Sequence, residues 1–376
     1  MSDVNNPVIT SGARKVSGRC LLNGSDVSAA LVSFDVTDNG FRGASTFELT
    51  LGLSKLPSQL SLQSWWASQT TIKVELTVSI TTQAGTSTKR LIIGNIDKYR
   101  FCPARFEIVA DGRDFAALLI DSKSAGESFK NYTSSQIATL LANRHGLTPK
   151  VTATTGRFGD FYQIDSAHLT GEQTEWDLLT TLAGIENYQT YIDGENLVFE
   201  PVPDPAKADN YVIRWQPPGV LAYPQCNVSE DLEFERALTI SKGVTVEVMS
   251  WNVKRKNKQF TASYPKYAKS TTPGSAVPQT QIYRVIRNGL TPDAAYTLAQ
   301  KIYNTIVAHE MKFSGSTAGD NLLTPQTLVR IEGTQSLFDQ LYWCDSVRRT
   351  FNVNDGYTMF MTGKNHSPVL DVSEGY

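Results

Sequence analysis

Three carboxylates lie close together at the start of a helical segment of this 376-residue chain: Glu172, Glu175 and Asp177. Most glycosidases use paired carboxylates, one as general acid and the other as base or nucleophile. Acidic residues are also favoured in the first turn of any helix, because the backbone dipole is positive there. We favour this second interpretation for Glu175 and Asp177. A lysozyme-like, cell-wall-degrading activity near Glu172 and Glu175 stays open as the alternative, because cooperating carboxylates need not be neighbours in sequence.

The histidines and cysteines form no pattern typical of a metal or nucleophile site. His145 directly follows a predicted helix, where the dipole favours a cation by about 0.3–1 kcal/mol, so we predict a structural role and a nearly silent His145→Ala substitution. No HExxH, CxxC, GxSxG or glycine-rich phosphate motif occurs. We therefore predict no catalytic residue, no metal ligand and no cofactor. The cysteines are interpreted as small buried residues in separate strand-like segments: Cys20, Cys102, Cys226 and Cys344.

Two other groups of residues could contact partners. The adjacent Trp65 and Trp66 either close one end of a barrel or mark a partner surface. A basic cluster joins two strand-like runs, and we favour a solvated hairpin tip that blocks edge pairing. Contact with passing nucleic acid or an acidic partner is the alternative for this cluster: Lys254, Arg255, Lys256 and Lys258.

Composition and charge exclude several classes of protein. The net charge of −2 gives no global case for a nucleic-acid-binding protein. No run of 18 apolar residues occurs, so no spanning helix is expected. The first residues lack the pattern of a secretory signal, and we expect the protein to fold in the cytoplasm. A membrane-embedded barrel is a third interpretation, which the polar residues on the alternate faces of the strands disfavour.

The elements that carry these residues fall into three blocks after an N-terminal tail, residues 1–13. Residues 14–118 alternate apolar and polar side chains, as in "TTIKVELTVSI", and this period of two predicts an antiparallel barrel or sandwich. Residues 119–203 predict a small α+β module with two helices and a hairpin. Residues 204–376 return to strands, with one long helix near 292–311 that begins at Thr291 and Pro292.

The helices of the middle block have clear boundary signals. Thr133 and Gln136 form a predicted capping box, and Gly146 supplies a left-handed residue after the helix. A second helix is expected to begin after Thr174 and to stop at Gly184. The two end blocks resemble each other in their strand-rich sequence pattern, and "ASTFELTLG" is loosely similar to "GYTMFMTG".

The order of these signals resembles the tail hub proteins of contractile-tailed phages, the late-control D-type family, related to the hub part of type VI secretion spike proteins. "ASTFELTLG" and "RLIIGNIDKYRF" look like the first barrel of that family, and "YTSSQIATLLANRHGL" matches its helix that ends in Gly-Leu. "GEQTEWDLLTTLAG" with "YIDGENLVF" resembles its second helix and hairpin. "YWCDSVRRTFNVNDGYTMFMTG" resembles its closing strands. The likeness covers nearly the whole chain.

The resemblance implies a mainly β fold of two tube-like antiparallel β-barrel domains and a small α+β module. It also implies a non-enzymatic homotrimer, a ring with quasi-sixfold symmetry that joins the sixfold tail tube to the threefold central spike. Implied partners are the tail tube, spike, baseplate wedge and tape-measure proteins, with DNA only as non-specific cargo of the channel and no membrane anchoring. The implied location is the virion tail baseplate, assembled in the host cytoplasm. We see no C-terminal needle or fused lysozyme segment, so we expect the spike to be a separate chain.

Overall fold

The structure is a computed structural model of the chain. It describes residues 14–40, 43–82, 85–123, 129, 131–158, 173–205, 207–215, 231–238, 244–252, 258–265, 281–287, 290–307, 311–352 and 354–365. None of the described helices has the length and apolar character needed to cross a membrane. The division of the chain at 14–118, 119–203 and 204–376 stays a prediction.

The first part of the chain forms an N-terminal barrel. Its elements are β1 (Lys15–Leu22), β2 (Ser25–Asp26), β3 (Leu31–Asn39), β4 (Thr46–Gly52), α1 (Gln63–Ser68), β5 (Lys73–Thr82), β6 (Gly85–Cys102), β7 (Glu107–Asp114) and α2 (Ala116–Ile120). Neighbouring strands pair in the order β3-β4-β7-β6-β5-β1-β2, and all these pairs are antiparallel.

The predicted period of two is seen in the strands of this barrel, where every second side chain points into the core. Along β5, buried side chains alternate with half-exposed ones from Lys73 to Ile80. Val74 and Val78 are fully buried in the same core as Cys20 and Leu22 of β1. Each such side chain contributes about 1.5–3 kcal/mol through removal from water, so register in this barrel is fixed by its inward face.

A small α+β module follows the N-terminal barrel. Its elements are β8 (Tyr132–Thr133), α3 (Ser134–Arg144), β9 (Thr148–Val151), β10 (Arg157–Phe158), α4 (Glu175–Glu186), β11 (Tyr188–Asp193) and β12 (Asn196–Pro201). The predicted capping box at Thr133 and Gln136 is confirmed, and Gly146 has the expected positive φ of 69°. The cap at Thr174 is confirmed, but Gly184 does not end α4. The helix continues to Glu186, and Asn187 takes the left-handed conformation instead.

The last part of the chain contains a C-terminal barrel with a second α+β module inserted into it. The barrel strands are β13 (Asn210–Arg214), β14 (Glu233–Arg236), β18 (Met311–Ala318), β19 (Leu328–Glu332), β20 (Leu341–Asn352) and β21 (Gly356–Asn365). The inserted elements are β15 (Val244–Asn252), β16 (Lys258–Tyr264), β17 (Gln281–Ile286) and α5 (Pro292–Val307).

The inserted module differs from the sequence prediction, which placed its strands in the second barrel. They form a separate three-stranded sheet, β16-β15-β17, because one face of that sheet packs on α5. The predicted apolar stripe of this helix is confirmed, since all its members lie in that contact: Ala295, Leu298, Ala299, Ile302, Tyr303 and Ile306. The predicted cap is also present, because the amide of Ala294 donates to Thr291 Oγ1 at 3.3 Å.

The two barrels share one strand order. Pairing runs β3-β4-β7-β6-β5-β1 in the N-terminal barrel and β14-β18-β21-β20-β19-β13 in the C-terminal barrel. The β13–β19 pair is parallel, whereas its equivalent, β1–β5, is antiparallel. The sequence comparison of "ASTFELTLG" with "GYTMFMTG" was wrong in detail, because this order makes β18, not β21, the equivalent of β4.

Candidate functional site

The two barrels meet edge to edge. Strand β3 pairs antiparallel with the C-terminal half of β20 over seven residue pairs, from Asn39 opposite Ser346 to Ser33 opposite Asn352. This pairing makes the barrels parts of one continuous sheet. We call this contact the barrel junction. Strand pairing at an edge is a common mode of protein assembly, so the junction is the candidate functional site.

Two adjacent arginines of β20 act on opposite faces of the barrel junction. Arg348 points outward, and its Nε lies 2.7 Å from Asp35 Oδ2 on β3. Its side chain is 58% exposed, so this ion pair contributes only about 0.2–1 kcal/mol. Arg349 is 2% exposed. It donates from Nε to the carbonyl of Asp320 at 3.1 Å and from Nη2 to that of Leu323 at 2.5 Å.

The segment 319–327 between β18 and β19, here called the junction loop, binds both barrels. Lys89 of β6 donates to the carbonyl of Leu323 at 3.0 Å. Asn321 donates to the carbonyl of Ser87 at 3.0 Å, and Arg14 donates to that of Gly319 at 2.7 Å. Burial, together with the positive charge of Arg349, lowers the pKa of Lys89 to about 8. Cations from both barrels therefore hold this loop by its carbonyl oxygens.

Two carboxyl groups of the N-terminal barrel extend these polar contacts, and one of them, Asp38, interacts with the charges of Arg349 and Lys89. Ser45 joins them, because its hydroxyl donates to Asp38 Oδ1 and its amide donates to Asp114 Oδ2, each at 3.0 Å. Burial raises the pKa of Asp38, although the charge of Arg349 opposes the change. Burial also raises the pKa of Asp114 to about 7, despite its hydrogen bonds with the amides of Ser45 and Ala116. The barrel junction is thus a buried polar network, in which an unmatched group is costly.

The small α+β module contacts the N-terminal barrel, and the inserted module contacts the small α+β module. The β11–β12 turn lies against β6, with Arg90 Nη2 3.4 Å from Asp193 Oδ1. Lys73 of β5 also pairs with Glu195. In the inserted module, Lys301 of α5 donates to the carbonyl of Gly184 at 2.7 Å. A cation at a helix C-terminus is favoured by the helix dipole.

Glu175, the carboxylate considered for catalysis, is occupied within the small module. It is 2% exposed, Oε1 accepts from Arg144, and Oε2 lies 2.5 Å from Nε2 of His145. Asp177 caps α4 by accepting from the amide of Thr174. Glu172 lies outside the described residues. His145 has more than the dipole role predicted from sequence, since its side chain is 14% exposed and paired with a buried carboxylate. The approach of α3 to α4 creates this pair, which no sequence spacing indicates.

The other predicted contact residues have different surroundings. Trp66 is fully buried, donates from its indole nitrogen to the carbonyl of Leu60 at 2.8 Å, and offers no surface to a partner. Trp65 is half-buried and packs edge-on against Trp66, with the ring centroids 5.2 Å apart. Lys258 begins β16 opposite Asn252. The remaining basic residues fall outside the described residues: Lys254, Arg255 and Lys256.

Cysteines and histidines do not assemble a metal site in the described part of the chain, where no group of three or more His, Cys, Asp or Glu could hold an ion. Cys20 and Cys344 are buried, and Cys102 is half-buried. Burial raises the pKa of the Cys20 thiol to about 12, so it is not a nucleophile at neutral pH. The rest of these residues lie outside the described ranges: Cys226, His168, His309 and His366.

No protein-family model matches the chain, and no curated protein matches its sequence. Solved structures do match it. A tail protein from Neisseria meningitidis MC58 has a TM-score of 0.67 at 15% identity over 93% of this chain and 96% of that chain. The 43 kDa tail protein of prophage MuSo2 from Shewanella oneidensis has a TM-score of 0.64 at 14% identity, over 93% and 98%.

A component of the type VI secretion system of E. coli is also similar, with a TM-score of 0.53 at 12% identity over 93% of this chain and 77% of that chain. That protein is itself described as structurally similar to T4 bacteriophage tail proteins. The mainly β fold expected from sequence is therefore confirmed. The resemblance seen in the sequence motifs is confirmed at the level of the fold: this chain has the architecture of phage tail proteins and of a type VI secretion component.

Proposed function

We propose that this chain is a structural baseplate hub of a contractile phage tail or a phage-like particle. Three copies form a ring with quasi-sixfold symmetry that joins the sixfold tail tube to the threefold central spike. The ring surrounds the channel for the tape-measure protein and DNA. The observation that carries the proposal is the pair of barrels with one strand order, joined by pairing of β3 with β20.

A duplicated barrel suits a component that lies between two symmetries. Each chain counts as one unit toward a threefold partner and as two similar barrels toward a sixfold partner. Closed rings need a heterologous contact that is repeated around an axis. The barrel junction is one contact of that kind within each chain, and an equivalent contact between chains would complete the ring.

The partners and location follow from the same proposal. The fold shared with tail proteins and with a type VI secretion component supports a place in the virion tail, beside tail tube, spike, wedge and tape-measure proteins. DNA would pass as non-specific cargo, because contacts with phosphates carry no sequence information. We propose assembly in the host cytoplasm, without membrane anchoring. Half-buried Trp65 and the basic residues near Lys258 stay proposed contacts.

The proposed role needs no reacting group, and the geometry of Glu175 supports this. A general acid must be within reach of a substrate oxygen, whereas the two oxygens of Glu175 contact Arg144 and His145 inside the module. The lysozyme-like alternative near Glu172 and Glu175 loses the support of its better-placed carboxylate.

Light scattering and imaging test the proposal. We expect a mass of about 124 kDa, three times the 41.4 kDa chain, and a ring with a central hole in negative-stain images. A protein that stays monomeric when it is concentrated and when it is mixed with its tail tube and spike proteins would refute the ring. Release of soluble fragments from peptidoglycan, lost in Glu175→Gln, would instead favour the enzyme.

A further inference from the structure

The strands around β6 and those around β20 correspond residue by residue, and a matching bulge fixes the alignment. Pairing of β6 with β7 shifts register between Ile96 and Lys98. Pairing of β20 with β21 shifts between Cys344 and Ser346. Bulges of this kind re-aim strands at barrel rims. When the bulges are aligned, Asn95 of β6 is equivalent to Trp343 of β20. The neighbouring strands support this alignment, because the first residue of β5, Lys73, lies opposite Asn95 and the first residue of β19, Leu328, lies opposite Trp343.

Side chains around the two bulges make equivalent contacts. The bulged aspartates pair with a cation on the next strand, Asp97 with Arg113 at 2.6 Å and Asp345 with Lys364 at 3.0 Å. The last residues of β7 and β21 also make equivalent contacts. Asp114 accepts a hydrogen bond from the amide of Ser45 at 3.0 Å, and Asn365 accepts one from the amide of Met311 at 3.2 Å. The correspondences are Ser45 with Met311, Phe47 with Phe313, Asp97 with Asp345, Gly112 with Gly363, Arg113 with Lys364 and Asp114 with Asn365.

The glycine pair shows that the correspondence extends into the cores. A Cβ added to Gly112 would lie 2.7 Å from the ring of Phe47, and one added to Gly363 would lie 2.2 Å from the ring of Phe313. Each phenylalanine therefore fills the space above a glycine on the adjacent strand. Two barrels that share this packing, the bulge and the ion pair can present equivalent edges to their neighbours.

This alignment identifies one edge in each barrel that has no strand beside it in the described residues. Within the chain, β3 pairs with Ser346–Asn352, the part of β20 beyond its contact with β19. The equivalent part of β6 is Lys98–Cys102, beyond its contact with β5, and in the described residues only β7 pairs with it. The equivalent of β3 is β14, which among the described strands pairs only with β18.

We infer that β14 of one copy pairs antiparallel with Lys98–Cys102 of β6 in a second copy. The inference rests on the proposed ring and names the contact that closes it. The register follows from the barrel junction: Arg349 opposite Val36 predicts Phe101 opposite Phe234, and Thr350 opposite Asp35 predicts Cys102 opposite Glu233.

Charge complementarity supports this register. At the barrel junction, Arg348 bonds Asp35, the residue two positions along β3 from its direct partner Thr37. The equivalent arginine is Arg100, and the equivalent carboxylate is Glu233. Both side chains belong to exposed residues. A cross-strand ion pair between copies would fix partner and register even where its net energy is small.

Within one chain these two edges do not pair, since β14 pairs with β18 and Lys98–Cys102 of β6 pairs with β7 among the described strands. Seven strand spacings separate β14 from β6 along the sheet, in the order β14-β18-β21-β20-β3-β4-β7-β6. At about 4.8 Å for each spacing, the two edges lie roughly 34 Å apart along the sheet. Three copies would contribute three times eight strands to a closed barrel. With a strand tilt of about 40°, its backbone diameter would be about 50 Å.

A disulfide tests the register directly. Glu233→Cys places a thiol opposite native Cys102 of the next copy, and opposed Cα atoms in antiparallel strands, about 4.5–5.5 Å apart, can form a disulfide. We expect mild oxidation of this variant to give covalent dimers and trimers on non-reducing gels. Wild type and Glu233→Cys combined with Cys102→Ser are the controls, and both should stay single chains. A ladder that persists without Cys102 would overturn the register.

Charge reversal separates this inference from the ring itself. We expect Arg100→Glu and Glu233→Arg each to raise the dissociation concentration of the trimer at least tenfold, and the double variant to restore it. Lys15→Glu, an exposed reversal on β1, is the matched control and should have no effect. A trimer unaffected by both single reversals and without the cross-link would overturn the inference and leave the ring standing. A wild-type monomer that forms no cross-link with its tail partners present would overturn both.

Discussion

Replacement of Arg349 by methionine should weaken the barrel junction far more than replacement of its neighbour Arg348. Both residues lie on the same strand, carry the same charge and contact the N-terminal half of the chain or the junction loop. They differ in burial, since Arg349 is 2% exposed and the Arg348 side chain is 58% exposed. The two substitutions therefore compare the contribution of a buried arginine with that of an exposed arginine at the next position of the same strand.

The magnitude follows from the groups left without a donor. Arg349 donates to the carbonyls of Asp320 and Leu323, and a hydrogen bond from a charged donor contributes about 1.5–3 kcal/mol. Loss of both predicts a decrease of about 3–6 kcal/mol in the free energy of unfolding. Lys89 still donates to Leu323, which places the value toward the lower end. Arg348→Met removes a largely exposed ion pair and should cost about 0.2–1 kcal/mol.

Urea titration followed by tryptophan fluorescence measures both variants, with circular dichroism as a second probe of the same transition. Coincident transitions are needed, because a chain of several domains need not unfold in one step. Equal losses for the two arginines, or a loss below about 1 kcal/mol for Arg349→Met, would refute the claim that buried Arg349 holds the junction loop.

Other substitutions test the module and the buried carboxyl group. His145→Ala should destabilise the protein by about 1–3 kcal/mol in thermal unfolding, because buried Glu175 loses one of its two hydrogen-bonding partners. No change would restore the sequence prediction. Because the pKa of Asp114 is raised to about 7, the folded state binds more protons than the unfolded chain between about pH 4 and 7, and stability should fall as pH rises through that window. Asp114→Asn, which copies the equivalent residue of the other barrel, should flatten this dependence in urea titrations at several pH values. Leu141→Ala should cost about 2–5 kcal/mol in the same titration, and Leu140→Ala clearly less, because only Leu141 is fully buried.

Local signals predicted the small elements well. Thr133 with Gln136, Thr174 and Thr291 were each identified as helix caps, because a cap depends on residues within one turn. The end of α4 was misplaced at Gly184. A glycine inside a helix costs only about 1 kcal/mol relative to alanine, and the helix continues to Asn187, which tolerates positive φ.

Contacts between distant segments could not be predicted from the chain. The pairing of β3 with β20 joins residues more than 300 positions apart, and an alternating strand carries no record of its partner. The same limit hid the separate sheet β16-β15-β17 and the pair formed by His145 and Glu175. Burial of Trp66 was equally invisible, because adjacent tryptophans fit a core and a surface equally well.

The barrel junction and the proposed contact between β14 and β6 differ in the residues on their inner sides. This difference has a physical reason, because the first contact lies within one chain and the second joins two copies. At the barrel junction, Val36 lies opposite Arg349, and a buried cation with bound carbonyls fills the inner side. The proposed contact between copies has Phe234 opposite Phe101 at the same place. Segments of one chain are already tethered, so a polar network can select their register without supplying much affinity. Separate copies lose translational and rotational freedom worth about 4–15 kcal/mol on association. An aromatic pair that removes apolar surface from water is the better means to offset that loss, which favours placing the phenylalanines at the contact between copies.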